Sequence, residues 1–334
     1  MKQDQRPRAL YYVEPGRAEL RRIGLLRNAR QAGEPSRRCL VRMRWSALSR
    51  GTERLVFEGK LPPSEWQRMR APFQDGDFPF PVKYGYSAVG LVEAGTRELV
   101  GRNVFCLYPH QEVFEVDAAA LVPLPDAVPA RRAILSANLE TALNVVWDSG
   151  AAPGDRIVII GGGVVGLLVC FLAAQLPGAE VTVVDIVPER AGLAELFGAA
   201  FAQPHQAPGE ADIVIHTSGS AAGCALALEL AGVEGTIVEA SWFGDQTVGL
   251  PLGAAFHSRR LRLISSQVGM LPAIRRARWS HRRRLAKAVT LLADERLDQM
   301  ITGEVAFENL ARELPTLLQA GAAGLVTAVR YEKV

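Results

Sequence analysis

Cysteine, net charge and long apolar runs are all scarce in this 334-residue chain, and each shortage excludes something. The four cysteines, Cys39, Cys106, Cys170 and Cys224, lie far apart, with no pair at metal-ligand spacing. They read as isolated, mostly buried thiols of a reducing compartment rather than as a disulfide framework. A formal net charge of +3 is close to neutral for this length and argues for no particular partner. The opening residues, MKQDQRPRALYYVEPG, are charged and lack the apolar centre of a secretory signal. One run, residues 157–176, is long and nearly uncharged, but three consecutive glycines divide it. The part after them is about 13 residues, roughly 20 Å of helix, against the roughly 30 Å of a bilayer core. A buried strand followed by a buried helix fits better. The expectation is a soluble, cytoplasmic protein with no membrane partner. The chain is long enough for two domains and a core that needs neither disulfide nor metal as a staple.

What is present divides the chain in two. Residues 1–125 hold short strand-like runs (39–45, 88–93, 104–107) broken by Gly- and Pro-rich turns at 61–64 and 75–81, with no long helical period. Residues 122–130, VPLPDAVPA, read as a linker because proline repeatedly interrupts any regular element. After it, helical spacing over 131–149 gives way to an alternation. Strands are predicted at 156–160, 180–185, 212–217, 235–240 and 261–265, and helices at 164–175, 189–197, 221–231 and from about Pro272. Apolar strands separated by helices of this length imply an α/β fold with a doubly wound parallel sheet. A further helix at 307–320 and a strand at 324–331 close the chain. The domains expected are 1–125, completed by 298–334, and 126–297.

The strongest chemical signal is DRIVIIGGGVVGLLVCFLAAQ, with the spacing Gly161-x-Gly163-x-x-Gly166 between an apolar strand and an apolar helix. Gly161 permits the sharp turn, Gly163 lets the backbone approach a pyrophosphate, and Gly166 lets helix and sheet pack closely. The helix N-terminus, at Val164 and Val165, offers unpaired N–H groups and the positive dipole end to phosphates. The next strand, VTVVD, ends in Asp185, roughly twenty residues on, where a carboxylate can accept from the ribose hydroxyls. It would repel a 2′-phosphate, which favours NAD over NADP, although Arg190 lies close enough to blunt that effect. Thr217, Ser218 and Gly219, and Trp242 at a later strand end, either line the same cleft or serve only as turns.

A β-rich first domain, a dinucleotide domain after it and a C-terminal return resemble the medium-chain dehydrogenase/reductase superfamily. The likeness covers nearly the whole chain. It rests on APGDRIVIIGGGVVG, VVDIVPERAGLAELFGA and ADIVIHTSGSAAGCALALELAGVEGTIVEASWFG. The segments WSALSRGTERLVFEG and VKYGYSAVGLV look like the zinc-lacking branch that includes bacteriochlorophyllide hydroxyethyl dehydrogenases. The resemblance implies a GroES-like catalytic domain beside the Rossmann domain, a cofactor cleft between them, a small-molecule substrate, and commonly a dimer or tetramer. Where the zinc enzymes carry Cys, Gly-His-Glu and a third ligand, this chain aligns Ser49, Gly85-Tyr86-Ser87 and Ala137. Ser, Tyr and Ala cannot supply the three ligands of a catalytic zinc, and the four-cysteine structural lobe is missing. No metal is expected.

Without zinc, a hydrogen-bond donor must stabilise the developing alkoxide. The candidates lie in three loops that the resemblance places at the nicotinamide end: Ser49 and Thr52, Tyr86, and Tyr108 with His110. Tyr86 could donate to the reacting oxygen or simply fill the lost metal cavity. His110 is either the proton carrier or a loop histidine in water. Ser49 relays a hydrogen bond or satisfies its own turn. The arginines of 275–284 form a solvated helix face or a clamp for an acidic substrate; no recognition motif accompanies them, so nucleic acid is not expected. The function expected is hydride transfer between NAD(H) and a secondary alcohol or ketone. The alternatives are an NADPH-dependent quinone or enoyl reductase and a catalytically silent NAD-binding protein.

Overall fold

The computed structural model describes residues 6–24 and 38–332. Their contacts separate into two compact units. The first takes the described residues up to Ala137 and from Leu285 onward; the second is Asn138–Arg284. The seams fall inside the helices Ser136–Ser149 and His281–Leu291, not in the Pro-rich run. That run, expected to be a linker, is packed. Leu121, Val122, Leu124 and Val128 are buried, and Val122–Pro123 pairs as an edge strand, where proline's missing N–H costs nothing. Among the described residues no helix is long and apolar enough to cross a membrane.

The second unit is a six-stranded, wholly parallel sheet in the order Ala200–Ala202, Glu180–Val184, Arg156–Ile160, Ala211–His216, Ala231–Glu239, Arg262–Ser265. In chain order this is 3-2-1-4-5-6, the doubly wound Rossmann arrangement. Runs such as RIVII and ADIVIH form its central strands because both faces are covered and neither alternates. Helices Val164–Ala173 and Ala221–Leu230 supply that cover, with Ala227 and Leu228 packed on Val158, Val214 and Ile237. The register sets Ile160 beside both Val184 and His216, and His216 beside Glu239. The carboxyl ends of four strands therefore finish on one line.

The first unit is built on the long strand Arg38–Leu48, whose RCLVRMR half alternates buried and half-exposed positions. A seven-stranded sheet forms around it. One neighbour is the C-terminal strand Val326–Arg330, paired antiparallel, so the chain's end completes the fold begun by its start. A second, four-stranded sheet carries Arg8–Glu14 and Val82–Lys83. The helix Arg50–Phe57 was not expected from the sequence: at 8 residues it is too short to show a period, and it buries the charged Glu53 with Leu55, Val56 and Phe57.

The basic segment is a solvated face only in part: Arg276, Arg278, Arg282 and Arg283 are exposed, Arg275 is half-buried and Arg284 is buried. Its helix is broken into Ala273–Arg276 and His281–Leu291, the second restarting where Ser280 Oγ accepts from the Arg283 N–H at 3.1 Å. Arg275 lies over the Trp147 ring at 5.0 Å and Arg283 over Trp279 at 4.1 Å. Arg284 belongs to no surface: it is 2% exposed and donates to the Glu140 carboxylate at 3.0 Å, to Asn144 and to the Val268 carbonyl. Burial raises the Glu140 carboxyl, against the pull of the guanidinium. Removing one partner of a buried pair leaves the other uncompensated, at about 3–5 kcal/mol. Arg284→Met is accordingly expected to lower the unfolding free energy by that much, read from urea unfolding with an unchanged transition slope. A loss below about 1 kcal/mol would place the pair in the range of ordinary surface bridges.

Candidate functional site

Sterics dictate the glycine turn of the second unit. Gly161 sits at φ +108°, and a Cβ there would stand 2.7 Å from the Ser218 nitrogen. A Cβ on Gly166 would stand 1.9 Å from the Gly161 carbonyl oxygen, so strand and helix approach to backbone contact. Gly163 has open space beyond its Cα and caps the helix Val164–Ala173. The first-turn N–H groups of Val164 and Val165 have no helical carbonyl to bond and face outward from that cap. The Thr217 hydroxyl donates to the Gly161 carbonyl at 2.9 Å, tying the turn to the neighbouring strand end.

Asp185 closes the other side. One carboxylate oxygen accepts from the Gly162 N–H at 2.5 Å and the other from the Val187 N–H at 2.8 Å. Each oxygen keeps lone-pair capacity for a ligand hydroxyl. The stem of Arg190 passes over Gly162, with its Cβ 3.1 Å from where a Gly162 Cβ would be. Gly219 is at φ +65° and donates its N–H to Ser241 Oγ at 3.1 Å. Trp242 is half-buried just past the end of strand Ala231–Glu239.

The same strand ends hold a cluster that sequence spacing did not reveal. His216 Nδ1 lies 2.7 Å from Glu239 Oε2, and Cys224 Sγ donates to that same oxygen at 3.3 Å. His216 Nε2 lies 2.7 Å from Ser218 Oγ, and the Ser241 N–H donates to Glu239 Oε1 at 2.8 Å. Burial, then the hydrogen bond to Glu239, pushes the Cys224 thiol up to about 12. Parallel register brings His216 beside Glu239, and the first turn of helix Ala221–Leu230 brings Cys224 over them. The only sequence signal was a histidine and a glutamate at the carboxyl ends of consecutive strands.

In the first unit the candidates fall into two groups. Tyr86 donates to Ser49 Oγ at 2.5 Å, and the Thr52 hydroxyl also hydrogen-bonds the phenol. Ser49 stands at the N-terminus of helix Arg50–Phe57 without capping it, so its hydroxyl oxygen is not spent on a backbone N–H. Tyr108 is set apart from them, stacked on Phe114 with ring centres 3.9 Å apart and on Phe73 at 5.2 Å. His110 is not a loop histidine in water. It is 1% exposed, with Nε2 3.1 Å from Glu53 Oε2 and Nδ1 2.8 Å from Ser46 Oγ, which in turn contacts the Tyr331 hydroxyl at 3.0 Å. Glu53 holds this loop: it accepts from the Ser49 N–H at 2.8 Å and from Tyr12 at 2.6 Å.

The chain resembles a set of alcohol- and polyol-oxidising proteins. It is 26% identical over 273 residues to D-guloside 3-dehydrogenase of Escherichia coli, covering 73% of this chain and 77% of that protein. A putative zinc-binding dehydrogenase from Sinorhizobium meliloti, bound to NADP, superposes with a TM-score of 0.75 at 20% identity, over 97% and 99% of the two chains. A short chain alcohol dehydrogenase from E. coli, complexed with NADH, gives 0.74 at 15% identity over 97% and 99%. No family profile matches the chain. These superpositions over nearly the full length show the fold: a GroES-like unit and a Rossmann unit in one α/β chain.

Burial raises every tyrosine of the chain. Tyr86 and Tyr108 rise to about 12, and Tyr11, Tyr12, Tyr84 and Tyr331 rise as well. The unfolded chain gives up these protons near pH 10, the native chain only well above it. Their contribution to stability is therefore complete below pH 10 and lost as pH rises through the native values. Spectrophotometric titration is expected to show almost no tyrosinate in the native protein at about pH 11, and then one cooperative alkaline unfolding. Stepwise ionisation near pH 10 in folded protein would contradict the burial of these phenols.

Proposed function

We propose that this chain is an oxidoreductase that transfers hydride between NAD(H) and a secondary alcohol or ketone, without a catalytic metal. The observation carrying the reading is Asp185: a carboxylate at the end of the second Rossmann strand, held by the Gly162 and Val187 N–H groups beside a turn that admits only glycine. There it accepts from the ribose hydroxyls and repels a 2′-phosphate. The N–H groups after Gly163 take the pyrophosphate. Bound there, the nicotinamide cofactor supplies the hydride acceptor or donor. The guloside dehydrogenase names a secondary-alcohol oxidation at a sugar carbon, in line with this substrate class.

Zinc-type relatives raise the question of a catalytic zinc. The residues aligned with its ligands do not fit one. Ser49 and Tyr86 are bonded to each other, Ser87 Oγ donates to the Ile134 carbonyl at 2.5 Å, and Ala137 has no donor atom. Glu53 and His110 are the nearest groups of ligand type, and among the described residues no third carboxylate, thiol or imidazole stands with them. This misfit supports reading the chain as zinc-independent.

The hydroxyls then perform what a metal would. A phenol at about 12 stays protonated at neutral pH, so Tyr86 donates and does not abstract. Donating to Ser49, it polarises a hydroxyl whose own proton can turn to the substrate oxygen as negative charge develops there. Glu53 holds the Ser49 backbone, and His110 and Tyr12 hold Glu53, so these three act behind the donors. A specific observation keeps NADPH-dependent reduction as the second reading: the Arg190 stem lies over Gly162 beside Asp185, where a guanidinium can meet a 2′-phosphate.

The test is reduced-nicotinamide absorbance with chelator-treated protein, NAD and a panel of secondary alcohols that includes sugars and hydroxyethyl tetrapyrroles. Turnover with NAD is expected to survive chelation. Ser49→Ala is expected to lower kcat about 100-fold with KM little changed, the usual effect of losing one oxyanion donor. Silence across the panel, with tight NADPH binding and turnover of enones or quinones, would transfer the assignment to the second reading.

A further inference from the structure

We propose that His216, Cys224 and Glu239 form a binding site for one zinc-like divalent cation in the Rossmann unit. Their candidate ligand atoms, an imidazole nitrogen, a thiol sulfur and a carboxylate oxygen, lie within 4.8 Å of one another. This is the mixed N, S and O donor set that zinc takes, and the sulfur selects against magnesium and calcium. Each ligand comes from a different rigid element. His216 ends the strand Ala211–His216, and Glu239 ends the next strand as its register partner. Cys224 lies in the first turn of the helix between them. Gly223 makes this convergence possible: a Cβ there would stand 2.8 Å from His216 Nε2 and 2.6 Å from Ser218 Oγ. A side chain there would have to displace the Ser218 hydroxyl or the His216 ring for the helix to bring its cysteine over the histidine.

The surroundings match those of a metal ligand set. A metal-bound histidine is fixed through its other nitrogen, and ligating carboxylates are themselves hydrogen-bonded. Here Ser218 Oγ sits 2.7 Å from His216 Nε2, and the Ser241 N–H holds the outer oxygen of Glu239 at 2.8 Å. His216 and Cys224 are buried, while Glu239 keeps 18% of its side chain exposed, which gives an ion a route in. Without a cation, the thiol proton and an imidazole proton both point at Glu239 Oε2. A dication replaces both. The thiol loses its proton to solvent, and the imidazole proton moves to Nε2, where Ser218 Oγ accepts it. Thiolate, carboxylate and neutral imidazole then balance the double charge. Zinc bonds of about 2.0–2.3 Å set tetrahedral ligand atoms roughly 3–4 Å apart, so the 2.7 Å and 3.3 Å contacts need only open slightly.

The site stands on residues outside the hydroxyl group of the first unit, so it can hold whether or not the reaction proposed above is correct. Its test is cobalt(II) titration of the chelator-stripped, full-length protein under reducing conditions. The expected result is one cobalt per chain with a sulfur-to-cobalt charge-transfer band, displaced by an equivalent of zinc. Cys224→Ser should abolish the band. Glu239→Gln, which keeps shape and thiol, should weaken cobalt binding by tenfold or more, with circular dichroism confirming the fold of each variant. No stoichiometric binding to the wild-type chain would overturn the proposal. So would a sulfur band that persists in Cys224→Ser, since it would come from Cys39, Cys106 or Cys170. If Cys224→Ser does not fold, unchanged affinity in Glu239→Gln is by itself sufficient to reject the site.

Discussion

The first unit depends on one carboxylate. Glu53 is fully buried, and a buried charge survives only if its lone pairs are taken. Tyr12, His110 and the Ser49 N–H take them. Those donors come from three separate places: the strand Arg8–Glu14, the loop that follows Cys106, and the start of the helix that carries Glu53 itself. Satisfying the charge therefore fixes all three relative to one another. Ser49 is placed by this constraint, and Tyr86 by its bond to Ser49. The Ser49 and Tyr86 hydroxyls hang from a network whose members are too buried to move independently. His110, the natural first choice for a proton carrier, is better understood as part of that frame.

The second unit is governed by repulsion instead of attraction. Gly161, Gly166 and Gly223 all mark places where a Cβ would stand under 3 Å from neighbouring atoms, including the backbone at Ser218 and Gly161 itself. Such contacts cannot be relieved by rotating a side chain when the atom met is backbone. The helix starts at Val164 and Ala221 are consequently held close to the strand ends, with their polar groups facing the same edge of the sheet. Parallel pairing does the rest, because equal register puts Asp185, Gly161, Thr217 and Glu239 at successive strand termini.

This difference explains what could be read from the sequence. The glycine turn was legible because its cause is local: strand, turn and helix follow one another, and the acidic residue belongs to the next strand. Arg156–Ile160 and the α/β alternation were legible for the same reason, but the three-residue edge strand Ala200–Ala202 was too short to show. Local reading failed where the cause is distant. Arg284 looked like one of six clustered arginines, but its partners Glu140 and Asn144 lie on another helix far back in the chain. The helix Arg50–Phe57 is short, and the burial of its glutamate is decided by Tyr12 and His110. The meeting of Ser49 with Tyr86 was suggested only by resemblance to a family, since nothing in either loop's composition predicts it.

The chain's two polar clusters also solve different chemical problems with similar parts. Each sets a histidine against a glutamate, at 3.1 Å in one unit and 2.7 Å in the other. In the first, both carboxylate oxygens are occupied by donors that cannot be exchanged without unpacking strands, so the pair is a structural anchor. In the second, one oxygen receives the histidine and a cysteine together, and the glutamate remains partly exposed. Two protons aimed at a single oxygen form an arrangement that a cation can replace without moving the backbone. The same residue types are thus inert in one setting and exchangeable in the other. What separates them is access and the identity of the third partner: a phenol that cannot shed its proton at neutral pH, or a thiol that can do so when a metal takes its place.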